Sequence, residues 1–182
     1  SQNRKQAELD GFRVFPIEAL IKSSDFVSLL IPDEEMPSVF LKKIKPNLKE
    51  AQTLLFSHGY SIHFKHINPP EFINIILVAP SGSGKMVRKQ YLENKGVPNL
   101  LAVKQDYTGN AFELALSYSK AIGGTRIGSF LSTFEEEVVT DPGVISNAMV
   151  GGVRYIQMKI AIIRLYKLLF LKVNISTIPV SV

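Results

Sequence analysis

Cysteine is absent from the 182 residues of the chain. Without it, neither a disulfide framework nor a thiolate metal site can form. Long apolar runs are also lacking: basic residues interrupt the most apolar part, residues 153–173, whereas a membrane span needs about 18 or more apolar residues in a row. The polar residues 1–12 contain no apolar segment like that of a signal peptide. We therefore expect a cytoplasmic protein, or one of an organelle stroma or matrix in a eukaryote.

Acidic residues are scarce near the C-terminus. Between positions 138 and 182, five basic residues stand against one acidic residue, Asp141, and this segment carries +4 of the net charge of +5. The first 137 residues are nearly neutral, so the high isoelectric point is a property of the tail. A domain of balanced charge is not expected to bind nucleic acid.

Short apolar runs alternate with helical patterns over the first 137 residues, and the overall composition is typical of a globular protein. The predicted strands span residues 12–15, 26–31, 53–56, 74–78, 100–103 and 127–131. The predicted helices span residues 2–10, 16–22, 36–44, 85–94 and 111–122. Strands and helices that alternate over short loops predict an α/β, Rossmann-like fold with a mostly parallel sheet and helices on both faces.

Polar or glycine-rich segments follow three of these strands, at residues 32–34, 57–59 and 79–84. The carboxyl ends of parallel strands meet at one edge of a sheet, and ligands bind beyond that edge. His58, between a strand end and Gly59, can face a cleft there. His63 and His66 fall in a predicted loop that faces solvent, and the spacing of the three histidines does not match a metal site.

Two of these segments admit a second interpretation. Residues 79–85 follow a strand and open a helix as a phosphate-binding P-loop does. The loop's first glycine is replaced by alanine and its Mg²⁺-binding hydroxyl by methionine, so we favour a glycine-rich helix start near a phosphate of another ligand. Asp33, Glu34 and Glu35 form either a capped helix start or a carboxylate cluster near a ribose or nicotinamide. The pattern does not decide between the two.

The character of the sequence changes after residue 141, which predicts a domain of residues 1–141 and a divergent tail of residues 142–182. Residues 153–173 place nearly all their basic side chains on one side, as in a basic amphipathic helix. We favour packing of its apolar side on the domain or on another chain. Attachment to an anionic membrane surface is the alternative and is not expected. Asp141 by itself cannot hold Mg²⁺, because hard cations need several oxygen ligands.

Six sequence motifs stand in one order between Asp10 and Asp141: DGFRV, LLIPDEE, LLFSHGYSIHF, ILVAPSGSGKMVR, GVPNLLAVKQDYTGNAFELALSYSKAIGG and TFEEEVVTD. Together they resemble ketol-acid reductoisomerase (acetohydroxy acid isomeroreductase). The resemblance implies a Rossmann-type domain that binds NADPH and a helical C-terminal domain that completes the active site. It also implies Mg²⁺-dependent isomerisation and NADPH-dependent reduction of 2-acetolactate or 2-aceto-2-hydroxybutyrate, in branched-chain amino acid biosynthesis.

The resemblance assigns roles to individual positions. Asp33, Glu34, Glu35 and Met36 occupy the family's PDE-x-Q stretch beside the cofactor, and Met36 replaces the usual glutamine. His58 corresponds to the family's active-site histidine. The remaining assignments concern the cofactor phosphates and the metal: Gly84 in the loop that touches NADP, Ser1 and Asn3 at its 2′-phosphate, and Asp141 as the first metal ligand.

Several parts that the family's reaction needs are not found in the sequence. Ser81 stands at the position of the catalytic lysine, Ser83 at that of a proline, and Ile145 at that of a metal-binding glutamate. The family's G-x-G-x-x-G unit would lie before Ser1, so we expect the fold without its first βα unit and with a C-terminal helix appended.

These departures predict a piece of a ketol-acid reductoisomerase that is inactive alone. The alternative is a non-catalytic nucleotide-binding or interaction module whose basic helix docks a partner. Either form is compatible with a homo-oligomer.

Overall fold

The computed structural model describes residues 2–140, and the side chains of residues 4–139. Ser1–Val138 form one compact unit and Val139–Val182 form a second, which lies almost entirely outside the described residues. The predicted basic helix at 153–173, Asp141 and Ser1 lie outside the described residues as well.

The described part alternates short strands with helices. The strands are β1 (Phe26–Leu29), β2 (Thr53–Phe56), β3 (Asn74–Pro80), β4 (Asn99–Gln105) and β5 (Ser129–Leu131). The helices are α1 (Gln2–Leu9), α2 (Ile17–Ser23), α3 (Met36–Val39), α4 (Tyr60–His63), α5 (Gly84–Leu92), α6 (Ala111–Ala121) and α7 (Phe134–Thr140). A π-helical turn at Phe40–Ile44 and a 3-10 turn at Lys45–Asn47 extend α3.

The five strands form one sheet in the order β1–β2–β3–β4–β5. β1, β2 and β3 are parallel to one another. β4 runs antiparallel to β3 and parallel to β5. Three of the four pairings are therefore parallel, and the predicted Rossmann-like, mostly parallel sheet is confirmed.

Alternate residues of the central strands enter two different cores, because successive strand side chains point to opposite faces. Leu54 and Phe56 pack in the core that contains α2 and α3. Leu55 and Ile76 pack with α6 in the other. Every residue of β2 is buried, as expected of a strand that is covered on both faces. Helices thus cover both faces of the sheet.

Helix α5 lies in the connection between β3 and β4. This connection leaves and re-enters the sheet at the same edge, by which we mean one end of the strands. Pro80 at the end of β3 is opposite Asn99 at the start of β4, and the Ser81 N–H donates to the Pro98 carbonyl at 2.8 Å. α5 therefore does not cross a face of the sheet, and none of its residues is buried. The carboxyl end of β4 consequently lies at the opposite edge from those of β1, β2 and β3.

Most predicted elements are found with ends that differ by no more than two residues, but two predictions are wrong. Residues 12–15 form no strand; Phe12 and Phe15 are exposed, and the segment joins none of the described ladders. A strand needs a neighbour for its backbone hydrogen bonds, and an apolar pattern alone does not supply one. His63, predicted to lie in a loop, is the last residue of α4; α7 was not predicted.

No helix within residues 2–140 combines the length and apolar character required to cross a membrane.

Candidate functional site

The segments that follow β1, β2 and β3 leave the sheet in the same direction, because these strands are parallel. Leu29 at the end of β1 is opposite Phe56 at the end of β2, and Phe56 is opposite Leu77, three residues before β3 ends. We call the edge at which these three strands end the carboxyl edge. The segments that the sequence predicts to contact a ligand lie at this edge.

His58 follows β2 at the carboxyl edge and is held by Glu137 of α7. Its Nδ1 lies 3.0 Å from Oε2 and 3.2 Å from Oε1 of Glu137. Oε2 also accepts the backbone N–H of Gly59 at 2.6 Å. The Glu137 side chain is 7% exposed and the imidazole is 25% exposed. An ionised carboxylate can only accept hydrogen bonds, so Nδ1 carries the proton in this contact.

The other nitrogen of His58 faces Asp33, which follows β1. Nε2 lies 3.9 Å from Asp33 Oδ2, a distance too long for a hydrogen bond. Asp33 Oδ1 accepts the hydroxyl of Ser61 at 3.0 Å, and Ser61 is fully buried in α4. The imidazole is therefore flanked by two carboxylates that come from different elements.

Residues 81–84 form the third segment of the carboxyl edge and are exposed. The hydroxyl of Ser83 caps α5 by accepting the N–H of Met86 at 3.4 Å. A Cβ built on Gly84 would meet no atom within 4 Å, so the space beside it is open. A shallow cleft open to solvent starts there, lined by Gly84, Lys85, Arg88, Lys89, Leu92 and Glu93.

The α5 cleft is cationic. Three of its side chains are basic, and within residues 2–140 none of the three forms an ion pair with a carboxylate. Backbone N–H groups at the start of a helix add positive potential. The cleft beside Gly84 therefore favours an anionic group.

The other predicted site residues occupy different environments. Glu34 and Glu35 are exposed at the carboxyl edge, whereas Met36 is buried in the core. Glu35 is the N-cap residue of α3, but its side chain makes no capping hydrogen bond. Asn3 belongs to α1, and its side chain lies outside the described ones. Of the predicted residues, the structure brings Asp33 and His58 together; the roles of the others stay predictions.

Among the residues that the structure describes, no three histidine, aspartate or glutamate side chains form a group that could hold a metal ion. His66 is exposed, as predicted, and its ring packs against Tyr60. His63 is half-buried at the end of α4, where its ring packs edge-on against Phe64. These two histidines thus make aromatic contacts.

Two residues that contact the predicted ones, Glu137 and Ser61, were not predicted from the sequence. Glu137 is the last of three consecutive acidic residues, and it shares the buried side of α7 with Phe134 and Val138. This i, i+3, i+4 spacing was a usable signal, because an acid on an apolar stripe needs a polar partner. Ser61 lies in a helix of four residues, which is too short to show a periodic pattern.

The sequence matches the family described as acetohydroxy acid isomeroreductase, NADPH-binding domain, over residues 1–128. Similar curated proteins include the ketol-acid reductoisomerases (NADP(+)) of Pyrococcus abyssi, 51% identical over 148 residues, and Methanopyrus kandleri, 50% identical over 151 residues. These matches cover 81% and 83% of this chain and 45% and 46% of the relatives. The chain therefore spans a little less than half the length of these relatives.

Solved structures agree with this result. An NADH-preferring ketol-acid reductoisomerase from an uncultured archaeon matches with a TM-score of 0.77 and 42% identity, over 85% of this chain and 47% of its own. A putative oxidoreductase from Jannaschia matches at 0.64 and 14% identity, over 87% and 60%. A semialdehyde dehydrogenase NAD-binding protein from Cupriavidus necator matches at 0.65 and 16%, over 98% and 72%. The last two similarities concern the fold alone.

Proposed function

This chain belongs to the ketol-acid reductoisomerase (acetohydroxy acid isomeroreductase) family, and we propose that its described part seats NADPH along the carboxyl edge. The observation that carries the proposal is the position of His58, held between Asp33 and Glu137 where three parallel strands end. Ligands of open α/β sheets bind beyond that edge.

The residues at the carboxyl edge suit a dinucleotide that carries phosphates. Gly84 leaves open space at the start of α5, and the cationic cleft beside it favours phosphate oxygens. Asp33, Glu34, Glu35 and Met36 are proposed to contact the cofactor by side chain or backbone, and Ser1 and Asn3 to bind the 2′-phosphate. The family description and the relatives' names support NADPH, whereas one similar structure is of an NADH-preferring enzyme.

His58 is proposed to move a proton on an acetohydroxy acid. Its Nδ1 lies 3.0 Å from Glu137 Oε2, and Nε2 is proposed as the nitrogen that exchanges a proton with a substrate oxygen, on the family resemblance. Glu137 fixes the tautomer and stabilises the imidazolium that forms. When bound, NADPH supplies the hydride of the reduction.

Asp141 is proposed to bind Mg²⁺ with further oxygen ligands, as the family resemblance implies. It lies outside the described residues, and within residues 2–140 no metal-binding group is formed. The chemistry that the metal would supply is polarisation of the substrate oxygens.

Ser81 is the reason why we do not expect the chain alone to turn over an acetohydroxy acid. It stands where the family's catalytic lysine is expected, and it is exposed. A neutral hydroxyl cannot replace the charge-assisted hydrogen bond of an ammonium, which is worth about 1.5–3 kcal/mol. We therefore propose that the chain alone binds NADPH without measurable acetohydroxy acid turnover. A small-molecule substrate, a homo-oligomeric state and a cytoplasmic location belong to the same proposal, on the family resemblance.

Binding of NADPH and NADH to the purified chain tests the proposal. Directly excited fluorescence of the reduced nicotinamide measures both affinities. We expect NADPH to bind more tightly than NADH. Gly84→Val should weaken NADPH binding by about tenfold, since the side chain would occupy the space that the cofactor needs. Gly84→Ala should have a smaller effect, and both variants should fold normally because that space is open.

Ser117→Val on the exposed side of α6 is the control, since it adds similar bulk away from the carboxyl edge. It should leave NADPH affinity unchanged. No NADPH binding by the unmodified chain, or equal affinity in Gly84→Val, would exclude the proposed site.

A further inference from the structure

Helix α5 lines the α5 cleft, but burial does not hold this helix in place. None of its nine residues is buried. The hydrogen bond between Ser81 and Pro98 closes the base of the connection that carries it. A short helix gains most of its stability from contacts with other elements. The direction of α5 must therefore be fixed by contacts outside the core.

Arg126 makes two such contacts. It is the last residue of the 3-10 turn Gly124–Arg126, which follows α6. Its Cζ lies 5.0 Å from the centroid of the Tyr91 ring, which is within the range of a cation–π interaction. Its Nη1 donates to the Lys95 carbonyl at 2.9 Å. One guanidinium thus binds both the end of α5 and the segment that follows it.

Two glycines bring the turn close enough to α5 for these contacts. A Cβ on Gly96 would lie 2.0 Å from the Gly123 carbonyl oxygen. Gly123 has φ +85°, a left-handed conformation that favours glycine. A Cβ at Gly123 would lie 3.2 Å from the Lys95 carbonyl oxygen and 3.3 Å from a ring carbon of Tyr91. The turn therefore lies directly against the end of α5.

The turn is itself fixed, because α6 packs against the sheet. Ala111, Ala115 and Ser119 of α6 are buried, and the two alanines belong to the core on that face. The Ser119 hydroxyl is hydrogen-bonded to Asn99 and Ser129, which are the first residues of β4 and β5. Arg126 thus joins an exposed helix to one that is anchored in the core.

The α5 cleft depends on the direction of α5, because all its basic side chains come from this helix. Lys85, Arg88 and Lys89 follow the i, i+3, i+4 spacing of one helix side, and Gly84 is the first residue of the helix. A tilt of α5 would displace all four residues together.

We infer that Arg126 is a positioning residue: it fixes α5 through Tyr91 and the Lys95 carbonyl, and so holds the α5 cleft in place for the cofactor phosphates. The inference rests on the proposed function for the identity of the ligand. Arg126 contacts the opposite end of α5 from Gly84 and does not line the cleft.

Hydrogen exchange of the full chain without cofactor measures how firmly α5 is held. Arg126→Ala should speed exchange of the α5 amides by about three- to tenfold, because a cation–π contact and a hydrogen bond are lost. Exchange in α6 should stay unchanged. Tyr91→Leu should act in the same direction. Tyr91→Phe keeps the ring and Arg126→Lys keeps a cation, so both should stay closer to the unmodified chain.

The NADPH affinity of the same variants measures the effect on the cleft. Arg126→Ala and Tyr91→Leu should each weaken binding by about three- to tenfold. Tyr91→Leu leaves every charge in place, so its effect separates positioning from attraction between Arg126 and a phosphate. Because the two changes remove one shared contact, the loss in the double variant should be smaller than their sum.

Lys120→Ala is the matched control. It removes one positive charge from the exposed last turn of α6, close to Arg126 in the sequence. It should change neither α5 exchange nor NADPH affinity.

Unchanged α5 exchange in Arg126→Ala, full NADPH affinity in Tyr91→Leu, or additive losses in the double variant would overturn the inference. The proposed function fails separately, if the unmodified chain does not bind NADPH. The exchange measurement needs no cofactor, so the two failures are distinguishable.

Discussion

Gly59, in the segment after β2, packs closely against α7. A Cβ at this position would lie 2.6 Å from the Phe134 carbonyl oxygen, 3.0 Å from Glu137 Oε2 and 3.1 Å from a methyl group of Val138. The backbone of Gly59 has φ −80°, which any residue can adopt. Glycine is therefore required because a larger side chain has no space here. The position lies beside the Glu137 carboxylate that holds His58.

Gly59→Ala should push α7 outward and break the contact between His58 and Glu137. We expect a loss of about 1–3 kcal/mol in unfolding free energy, the usual cost of overpacking, measured by chemical denaturation. The ¹⁵N shifts of His58 should lose the signature of a fixed Nδ1–H tautomer. Gly84→Ala, where the space is open, is the matched control: it should not lower the unfolding free energy and should leave the His58 shifts unchanged. Full stability in Gly59→Ala would contradict the described packing of α7.

Part of this site could be predicted from single residues and part could not. His58 was predicted because it stands between a strand and a glycine. Glu137 was not, because three acids stand together in the sequence and only the helical phase selects the buried one. Ser61 was not, because α4 is too short to show a periodic pattern and its contact with Asp33 joins segments far apart in the sequence.

At the scale of elements, the antiparallel direction of β4 determines which edge of the sheet the next loop reaches. The sequence predicted a helix between two strands, which is also the pattern of a parallel crossover. The hydrogen bond between Ser81 and Pro98 shows that the chain turns back instead. The loop after β4, residues 106–110, therefore lies at the edge opposite His58. There Glu50 accepts the Tyr107 hydroxyl, which raises the pKa of Tyr107.

Asn74, at the start of β3, fixes that opposite edge. Its side-chain oxygen accepts the N–H groups of Tyr107 and Thr108, and its nitrogen donates to the hydroxyls of Thr53 and Thr108. Asn74 is fully buried, so its removal leaves several polar groups unsatisfied.

Asn74→Ala should lower the unfolding free energy by about 2–4 kcal/mol, on the cost of unpaired buried groups. Asn47→Ala, which removes one exposed hydrogen bond to the Lys43 carbonyl, should cost about 1 kcal/mol or less. Denaturant titration measures both. Folded Asn74→Ala should keep the NADPH affinity of the unmodified chain; a large loss of affinity in the folded variant would show that the two edges are not independent.

At the scale of the whole molecule, the two edges of one sheet carry different groups of residues. The carboxyl edge has open space, basic side chains that form no ion pair within residues 2–140, and a histidine between two carboxylates. The opposite edge is closed by the hydrogen bonds of Asn74. The fold class could be predicted from the alternation of elements, because alternation is a local property. The edge that each loop reaches could not be predicted, because it depends on the direction of the strands.

Hydrogen exchange of the backbone amides, with and without NADPH, tests this assignment most directly. We expect NADPH to slow exchange in the segments after β1, β2 and β3, at residues 33–35, 57–59 and 81–85, and to leave exchange at residues 106–110 unchanged. Protection confined to residues 106–110, or none at the carboxyl edge, would contradict it.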